Sequence, residues 1–455
     1  MRVVRWGGLA GSVLVGVAAY LGGSPYARGT TVTPGTMLAG EQGVLLPLSW
    51  VLGLAALLAA WWFGRHRVPS VRWALVTAGL WALPVLPMLP LGSEDIYSYA
   101  CQGFVQHAGG DPYAGGVQSF GCPWLGSVST TWRTSPAPYG PLFLVLSGWA
   151  VALGQTLPGV IAGLRIIALA GLGLLAAALP VLARRAGVEP ARAVWMVLAG
   201  PLVLIHLVSG AHNDALMVGL IVAGLALVAS RRSPGWLAAP GAVLGLAVAV
   251  KATAVVVLPF AVLAAVAPGT PLRALWRPAA AIGGGAALAT VALSVLSGRG
   301  FGWVAGLLRS GDTVAWTSPS TAVGLTVQLA TGAGAVGVTR VLGVVLLVVL
   351  LPVLWWRARA GGALPGAGLA LGATVLCAPV FHPWYAFWPL AVLAATAPER
   401  RWVLGLGALA ATLTLPAGYN WALFTRVPGA IVVTATLAGL AVRQVLRLRR
   451  RRVAA

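Results

Sequence analysis

Long uncharged stretches recur along the whole chain, and they limit its fold more than any other feature of the sequence. Runs of roughly twenty apolar residues follow one another from end to end, and a helix of about that length crosses a hydrocarbon core ~30 Å thick. Backbone polar groups in lipid must bond within the chain, so these spans are helices. The sequence therefore predicts an all-α integral membrane protein of about 12–14 transmembrane helices, organised as a single polytopic domain over residues 1–455.

Basic residues occur in clusters between the apolar runs. The formal net charge is +22, yet only 8% of the residues are charged, and arginine clusters beside membrane spans are typical of cytoplasmic loops. This distribution excludes nucleic acid as a partner and indicates the lipid bilayer instead. It also predicts that both termini are cytoplasmic and that the first helix is retained rather than cleaved as a signal peptide. The clusters that define the inner face are 65–72, 184–192, 231–232, 273–277, 357–359, 400–401 and 443–452.

One apolar segment conflicts with this charge rule. If Tyr139 to Leu157 crossed the membrane, the arginines at 184, 185 and 192 would fall outside. The segment begins with Pro138-Tyr139-Gly140-Pro141, which is a poor helix start inside lipid. We therefore predict that Tyr139 to Leu157 is re-entrant or interfacial, and we expect Ser320 to Gly332 to be a second partial insertion.

Two polar intervals fall on the outer face in this arrangement. Residues 92–138 form the first large extracytoplasmic loop, and residues 298–319 form a second. The first loop contains Cys101 and Cys122, which are either joined in an extracytoplasmic disulfide or present as two free buried thiols. Most of the eight acidic residues also fall outside; these are Glu41, Glu94, Asp95, Asp111, Asp214 and Asp312.

An adjacent carboxylate pair, Glu94 and Asp95, lies at the predicted outer edge of the membrane. A carboxylate near hydrocarbon is costly unless it faces water or a partner, which makes the pair a functional-site candidate. A carboxylate that only caps the loop is the alternative. We predict that Asp95, or its neighbour Glu94, is a catalytic base on the extracytoplasmic side.

Other polar residues on this face have both a functional and a structural interpretation. Asp111 precedes a proline and favours a turn, while Asn213 and Asp214 are good N-caps. Lys251 is the only lysine of the chain, and it either binds a phosphate or extends its ammonium group to the membrane edge. We predict that Lys251 and His382 bind the phosphate of a donor. The candidate substrate-binding residues are Tyr97, Tyr99, Asp111, Tyr139, His212, Asn213, Asp214 and Trp384.

These residues suit the displacement of a phosphate leaving group at a sugar carbon. The acceptor hydroxyl needs a base, whereas a leaving phosphate is already acidic and needs cations more than a proton donor. One carboxylate then suffices, unlike the two that a glycosidase uses. Carboxylates at a lipid edge can hold Mg²⁺ or Mn²⁺, but no HExxH, CxxC or comparable ligand spacing occurs. The sequence therefore indicates no cofactor, with a divalent metal as an open alternative.

Five short motifs together resemble the actinobacterial polyprenol-phosphate-mannose-dependent α-1,6-mannosyltransferases of the GT-C glycosyltransferase superfamily. They are SEDIYSYACQG at 93–103, DPY at 111–113, APYGPL at 137–142, HNDALM at 212–217 and KATAVVVLPF at 251–260. The resemblance implies a GT-C-like bundle with re-entrant or interfacial outer helices and an extracytoplasmic active site. It also implies inverting transfer of mannose from a polyprenyl monophosphate to a lipomannan-type glycolipid. The acidic base of that superfamily corresponds here to Asp95, with Glu94 beside it.

A transporter or flippase of polyprenyl-linked sugars is the alternative function. It predicts inverted repeats and helices that are broken in the middle of the membrane. The sequence shows no internal repeat, and its polar motifs lie on one face. A purely structural scaffold is a third alternative, and it does not explain the outer carboxylates.

Overall fold

The computed structural model of the protein describes residues 1–23, 33–41, 43–230, 234–309, 314–397, 401–416 and 420–453. Within these ranges every regular element is helical, and the only extended pairing is a single bridge between Thr414 and Asn420. The predicted all-α fold is confirmed. Arg231, Arg232, Arg400 and Asp312, for which the sequence predicts a side of the membrane, lie outside the described residues.

The described chain contains 21 α-helices. Those up to residue 264 are α1 (Arg2–Gly22), α2 (Pro34–Ala39), α3 (Leu45–Gly64), α4 (Val71–Ala82), α5 (Asp95–His107), α6 (Thr130–Thr134), α7 (Pro141–Gly154), α8 (Leu157–Arg185), α9 (Pro190–Leu198), α10 (Asp214–Ser230), α11 (Ala238–Val250) and α12 (Leu258–Ala264). The remainder are α13 (Trp276–Leu296), α14 (Gly302–Arg309), α15 (Pro319–Thr331), α16 (Val336–Ala358), α17 (Ala363–Cys377), α18 (Phe387–Thr396), α19 (Arg401–Thr412), α20 (Trp421–Phe424) and α21 (Arg426–Val453).

Several helices are long and apolar enough to cross a membrane. Six in the described residues meet this condition alone, namely α1, α3, α8, α13, α16 and α21. A seventh span results if α9 and the π-helix Val203–Ser209 are one bent span. Shorter apolar helices of 10–17 residues accompany them. The protein is therefore a multi-pass membrane protein, while the predicted total of 12–14 crossings stays a prediction.

Prolines interrupt two apolar runs, Val71 to Leu91 and Ala193 to Ser209, each of which the sequence predicts as one continuous span. The run Val71 to Leu91 is not a continuous helix, since α4 ends at Ala82 and the chain then turns through prolines at 84, 87 and 90. Proline has no N–H to donate and cannot continue a helix. The run Ala193 to Ser209 is not one straight helix either, because α9 ends at Leu198, before Pro201, and the π-helix continues at an angle of 69°. Its path across the membrane stays a prediction.

Two long apolar runs, each of which the sequence predicts to form two helices joined by an outer turn, are broken in the structure at a polar residue. The apolar run 236–266 breaks at Lys251, which terminates α11 and precedes a 3-10 turn leading into α12. The uncharged run 360–398 forms α17 and α18, joined through a turn that contains His382 and Trp384. Both breaks place polar side chains between apolar helices, which is where the candidate site forms.

The segment predicted to be re-entrant forms α7, which has 14 residues and is shorter than a typical span. It is followed by the 29-residue α8, which begins after Thr156 accepts a capping bond from the N–H of Gly159. Arg165 on α8 donates hydrogen bonds to the carbonyl groups of Leu86, Met88 and Ser209. These bonds fix α8 against the loop before α5; the path of α7 relative to the membrane stays a prediction.

Apolar packing divides the helices into inner and outer members. In α10, 13 of the 17 residues are buried, and Trp61 of α3 donates a hydrogen bond to the carbonyl group of Met196 on α9 at 3.1 Å. By contrast, only 6% of the α16 span is buried within the protein. Its exposed valines and leucines suit contact with lipid, where an apolar surface costs nothing.

Candidate active site

Helix ends and helix breaks from distant parts of the chain meet at one polar cluster. Asp95 is the first residue of α5, Asp214 is the first residue of α10, and Lys251 lies at the break after α11. Side chains at such positions are free to point away from the apolar helix faces. The cluster, called the polar cluster below, comprises Asp95, Tyr99, Trp132, Tyr139, His212, Asn213, Asp214, Lys251, Trp384, Tyr385 and Trp388.

Asp95 is held by two groups of its own loop. The indole N–H of Trp132 donates to Asp95 Oδ1 at 3.0 Å, and the backbone N–H of Asp95 donates to the hydroxyl of Ser93 at 3.0 Å. The side chain keeps 12% of its surface exposed. Burial raises the pKa of Asp95 to about 6, opposed mainly by the Trp132 bond, so the carboxylate is predominantly ionised at neutral pH.

Glu94 has different surroundings from its neighbour. Its side chain is half-buried and accepts no hydrogen bond from the described residues. Burial, and then the Asp95 charge, raise the pKa of Glu94 to about 7, while the charge of Arg133 lowers it. A positioned base requires a fixed carboxylate, so this geometry favours Asp95 within the predicted pair.

His212 lies against Asp95. Its Nδ1 atom is 3.8 Å from Asp95 Oδ2 and 3.2 Å from the Tyr99 hydroxyl. Its ring stacks on Trp384 with centroids 3.9 Å apart, and its buried Nε2 atom has no hydrogen-bond partner in the described ranges. Burial lowers the pKa of His212 well below its usual range, so the ring is neutral.

The sole lysine is paired with a carboxylate. Lys251 Nζ donates to Asp214 Oδ1 at 3.0 Å, and the Trp388 indole N–H donates to the same oxygen at 2.6 Å. The ammonium also lies 4.5 Å from the ring centroid of Tyr385 and 5.1 Å from that of Trp388. The ammonium is therefore paired within the protein, because α10 begins with an acid directly beside the α11 break.

A row of rings, formed by His212, Trp384, His382 and Tyr385, extends from the carboxylate of Asp95 to the ammonium of Lys251. His382 stacks on Trp384 with centroids 4.6 Å apart and an angle of 2°, so Trp384 contacts His212 and His382 together. Burial, and then the Lys251 charge, lower the pKa of His382 to about 3. A neutral His382 can contribute an N–H to a phosphate but no positive charge.

A tight chain crossing places Tyr139 in the polar cluster. The N–H of Gly140 donates to the carbonyl group of Val250 at 3.0 Å, and a Cβ atom at Gly140 would lie 2.2 Å from the Ala249 carbonyl oxygen. Only glycine permits this approach. It places Tyr139 beside Tyr99, with ring centroids 5.1 Å apart.

Two further predicted substrate-binding residues lie in the first loop and on its helix. Asp111 Oδ1 accepts from the backbone N–H of Tyr113 at 2.9 Å, which is the turn that Asp-Pro favours. Tyr97 is fully buried on α5. Their roles in substrate binding stay predictions.

The motif His212-Asn213-Asp214 presents unused hydrogen-bonding groups. Asn213 is 1% exposed, and neither atom of its amide has a partner among the described residues. The same holds for Asp214 Oδ2 and His212 Nε2 in this part of the chain. Buried polar atoms are normally bonded, so these groups are available to a polar ligand or to water.

Three residues in or beside the polar cluster belong to no motif of the sequence. Trp132 lies on the short helix α6 of the first loop, Trp388 lies on α18, and His206 lies beside the cluster within the π-helix. His206 Nε2 is 2.9 Å from the Thr414 hydroxyl, and its ring centroid is 5.3 Å from that of Trp384. A π-helix frequently marks a functional site, but it cannot be recognised from sequence periodicity.

The disulfide alternative for the first loop is confirmed. Cys101 on α5 and Cys122 are joined in a disulfide that closes 21 residues of sequence separation. Cys377 is a free cysteine. Among the described residues no group of three or more His, Cys, Asp or Glu side chains is arranged to hold a metal ion.

The fold and site together define a polytopic membrane protein with one polar cluster at its helix ends. The family model "Alpha-(1->6)-mannopyranosyltransferase, N-terminal domain" matches residues 5–267, and "MptB C-terminal domain" matches residues 314–447. The chain belongs to the α-(1→6)-mannopyranosyltransferase family, and it is therefore a glycosyltransferase. This membership favours an enzyme over the transporter alternative.

Curated relatives cover most of the chain. It is 34% identical to Alpha-(1->6)-mannopyranosyltransferase A of Mycobacterium tuberculosis, across 80% of this chain and 73% of the relative. It is 31% identical to a probable alpha-(1->6)-mannopyranosyltransferase of Mycolicibacterium smegmatis, across 87% and 79%. Identity to Alpha-(1->6)-mannopyranosyltransferase B of Corynebacterium glutamicum is 29%, across 79% and 65%. No solved structure matches the chain.

Proposed function

We propose that this protein transfers mannose with inversion from a polyprenyl monophosphate to a lipomannan-type glycolipid at the extracytoplasmic face, forming an α-1,6 linkage. One observation carries the proposal beyond family membership. A fixed, partly open carboxylate and the only lysine of the chain belong to the same buried cluster, separated by groups with unused hydrogen-bonding capacity. A base and a cation in one cluster suit an acceptor hydroxyl and a phosphate leaving group.

Asp95 is the base in this mechanism. The oxygen of the acceptor 6-hydroxyl forms the new bond to C1 of mannose, and its proton passes to Asp95. The bond between C1 and the phosphate oxygen breaks, and its electron pair remains on the phosphate. Attack opposite to the leaving group inverts C1, so an α product requires a β-linked donor.

Lys251 stabilises the leaving phosphate. Asp214, which also accepts from the Trp388 indole N–H, holds the ammonium in place, and Tyr385 offers a second, aromatic contact. A cation fixed before the reaction stabilises developing negative charge without reorganisation. The amide of Asn213 and the neutral ring of His382 supply donors that complete a phosphate or sugar subsite.

The disulfide supports the outer orientation of the first loop. Disulfides persist in oxidising compartments and are rare in the cytosol. A bridge between Cys101 and Cys122 therefore suits a loop outside the cell membrane. This orientation places the polar cluster and residues 92–138 on the extracytoplasmic side.

Purified protein in nanodiscs with radiolabelled polyprenyl phosphomannose and a synthetic α-mannoside acceptor tests the function. We expect labelled product with an α-1,6 linkage, identified by NMR and by digestion with a linkage-specific mannosidase. A glucoside acceptor is the matched control for acceptor recognition. Absence of transfer by correctly inserted protein, or movement of donor across vesicles without transfer, overturns the proposal.

A further inference from the structure

Trp132 occupies a position between the proposed base and the loop surface. It lies on α6, a five-residue helix that Arg133 fixes by donating to the carbonyl groups of Val128 and Gly126 at 2.8 and 3.1 Å. Its indole N–H bonds Asp95, yet the side chain is only half-buried. A tryptophan that is rigidly held and partly exposed beside a catalytic carboxylate offers a flat apolar face to a ligand.

The two oxygens of Asp95 separate the two sides of the site. Oδ1 accepts from Trp132 at 3.0 Å, whereas Oδ2 faces His212 at 3.8 Å. His212 stacks on the ring of Trp384 and lies two residues before Asp214, the partner of Lys251. The phosphate side of the cluster is therefore the Oδ2 side, and Trp132 lies on the other side.

The acceptor must reach Asp95 from the side that the donor phosphate does not occupy. One face of a hexose consists largely of C–H groups, which match an aromatic ring in shape and polarity. An indole N–H is a donor only, so its bond to Oδ1 also fixes the direction in which the carboxylate accepts a proton. We propose that Trp132 is the platform on which the acceptor hexose rests, and that its N–H positions Asp95 for the hydroxyl of that sugar.

This proposal rests on the proposed function and predicts separable effects. Trp132→Phe keeps an aromatic ring but removes the N–H, so we expect kcat to fall about 10- to 100-fold with an acceptor KM within about twofold. Loss of that bond also raises the pKa of Asp95, so the acidic limb of the pH profile moves to higher pH. Trp132→Leu removes the ring as well, and we expect the acceptor KM to rise about tenfold in addition. The donor KM stays unchanged in both variants.

Trp124 of the same loop provides the matched control. Its ring packs 6.1 Å from that of Phe104, and it is half-buried like Trp132. Trp124→Phe and Trp124→Leu should leave kcat, both KM values and the pH profile unchanged. If Trp132→Leu does not insert, Trp132→Met replaces it, because an unbranched side chain adapts to irregular space.

The outcomes are distinct. A Trp132→Phe protein with a normal kcat and pH profile would show that the indole N–H does not position Asp95. An unchanged acceptor KM in Trp132→Leu or Trp132→Met would show that the acceptor hexose does not rest on this ring. A rise in donor KM in any Trp132 variant contradicts the assignment to the acceptor side. Failure of the proposed function itself appears differently, as absence of transfer by the wild-type protein or as full activity of Asp95→Asn.

Discussion

At the scale of single residues, the surroundings of Asp95 and Glu94 lead to different expectations. Asp95→Asn removes the fixed carboxylate, and we expect the transfer rate to fall roughly 10²–10⁴-fold, whereas Glu94→Gln should retain most of the activity. Initial rates at saturating donor and acceptor measure both. Membrane insertion of each variant is the control. Near-normal turnover in Asp95→Asn combined with loss of turnover in Glu94→Gln would assign the base to Glu94.

The pH dependence of the wild-type enzyme follows from the same carboxyl group. A base acts only when it is deprotonated, and burial raises the pKa of Asp95 from 3.8 to about 6. Protonation on acidification therefore inactivates the enzyme already below about pH 6, where an ordinary aspartate would still be ionised. We expect kcat/KM to fall about tenfold per pH unit below that value. A profile that stays flat down to pH 4 contradicts this role of Asp95.

Lys251 needs a double variant for a clear test. Lys251→Met leaves Asp214 buried and unpaired, which destabilises the protein by about 3–5 kcal/mol irrespective of catalysis. The combined Lys251→Met/Asp214→Asn protein removes both charges, and we expect it to insert normally with a donor KM raised about tenfold or more and a lowered kcat. The acceptor KM should change little. Steady-state kinetics with donor and acceptor varied separately measure these effects, and unchanged donor kinetics exclude Lys251 from the phosphate site.

Sequence reasoning found the charged members of the site but not its supports. Asp95, His212 and Lys251 are recognisable because charge and imidazole are rare in a chain that is 59% hydrophobic. Trp132 is one of 20 tryptophans, and only the folded loop shows that it bonds a carboxylate. The pairing of Lys251 with Asp214 was equally inaccessible, because it depends on two helix ends that are far apart in sequence.

At the scale of helices and their crossings, Gly140 gives a sharp prediction. Gly140→Ala places a methyl group 2.2 Å from the Ala249 carbonyl oxygen, which forces the start of α7 away from the α11 break. We expect loss of thermal stability together with a strongly lowered kcat, because Tyr139 and Lys251 separate. Thermal melting and transfer assays measure the two effects.

Gly126→Ala is the matched control for that crossing. No atom lies within 4 Å of a Cβ atom built on Gly126, so this variant should behave like the wild type. A fully active and stable Gly140→Ala protein would show that the crossing tolerates displacement.

The helix boundaries show which local signals can be read from sequence. The prolines at 84, 87 and 90 end α4 after Ala82, but a prediction based on apolar content alone does not take them into account. The break at Pro201 was missed for the same reason. By contrast, Lys251 and the turn at His382 interrupt apolar runs with polar residues, and the positions of both breaks are predicted correctly.

At the scale of the whole molecule, the main prediction is the orientation in the membrane, with the first loop outside and the 184–192 arginine cluster inside. A cysteine at Ser129 should react with an impermeant maleimide applied from outside, and a cysteine at Gly187 should react only after permeabilisation. Cys377 is replaced in this background, while Cys101 and Cys122 remain because a disulfide does not react. Gly311, a further outer probe position, lies outside the described residues. External labelling at Gly187 would mean that α7 is a true span and would invert the later helices.

The bridge between Cys101 and Cys122 has a consequence for how the enzyme matures. Under the proposed orientation, both thiols leave the cytoplasm reduced and are oxidised only after the loop has crossed the membrane. Because α5 carries both Cys101 and Asp95, the end of that helix with the proposed base is joined covalently to the loop only at this late step. We therefore expect a host that lacks thiol oxidation at its surface to accumulate inserted protein without the bridge.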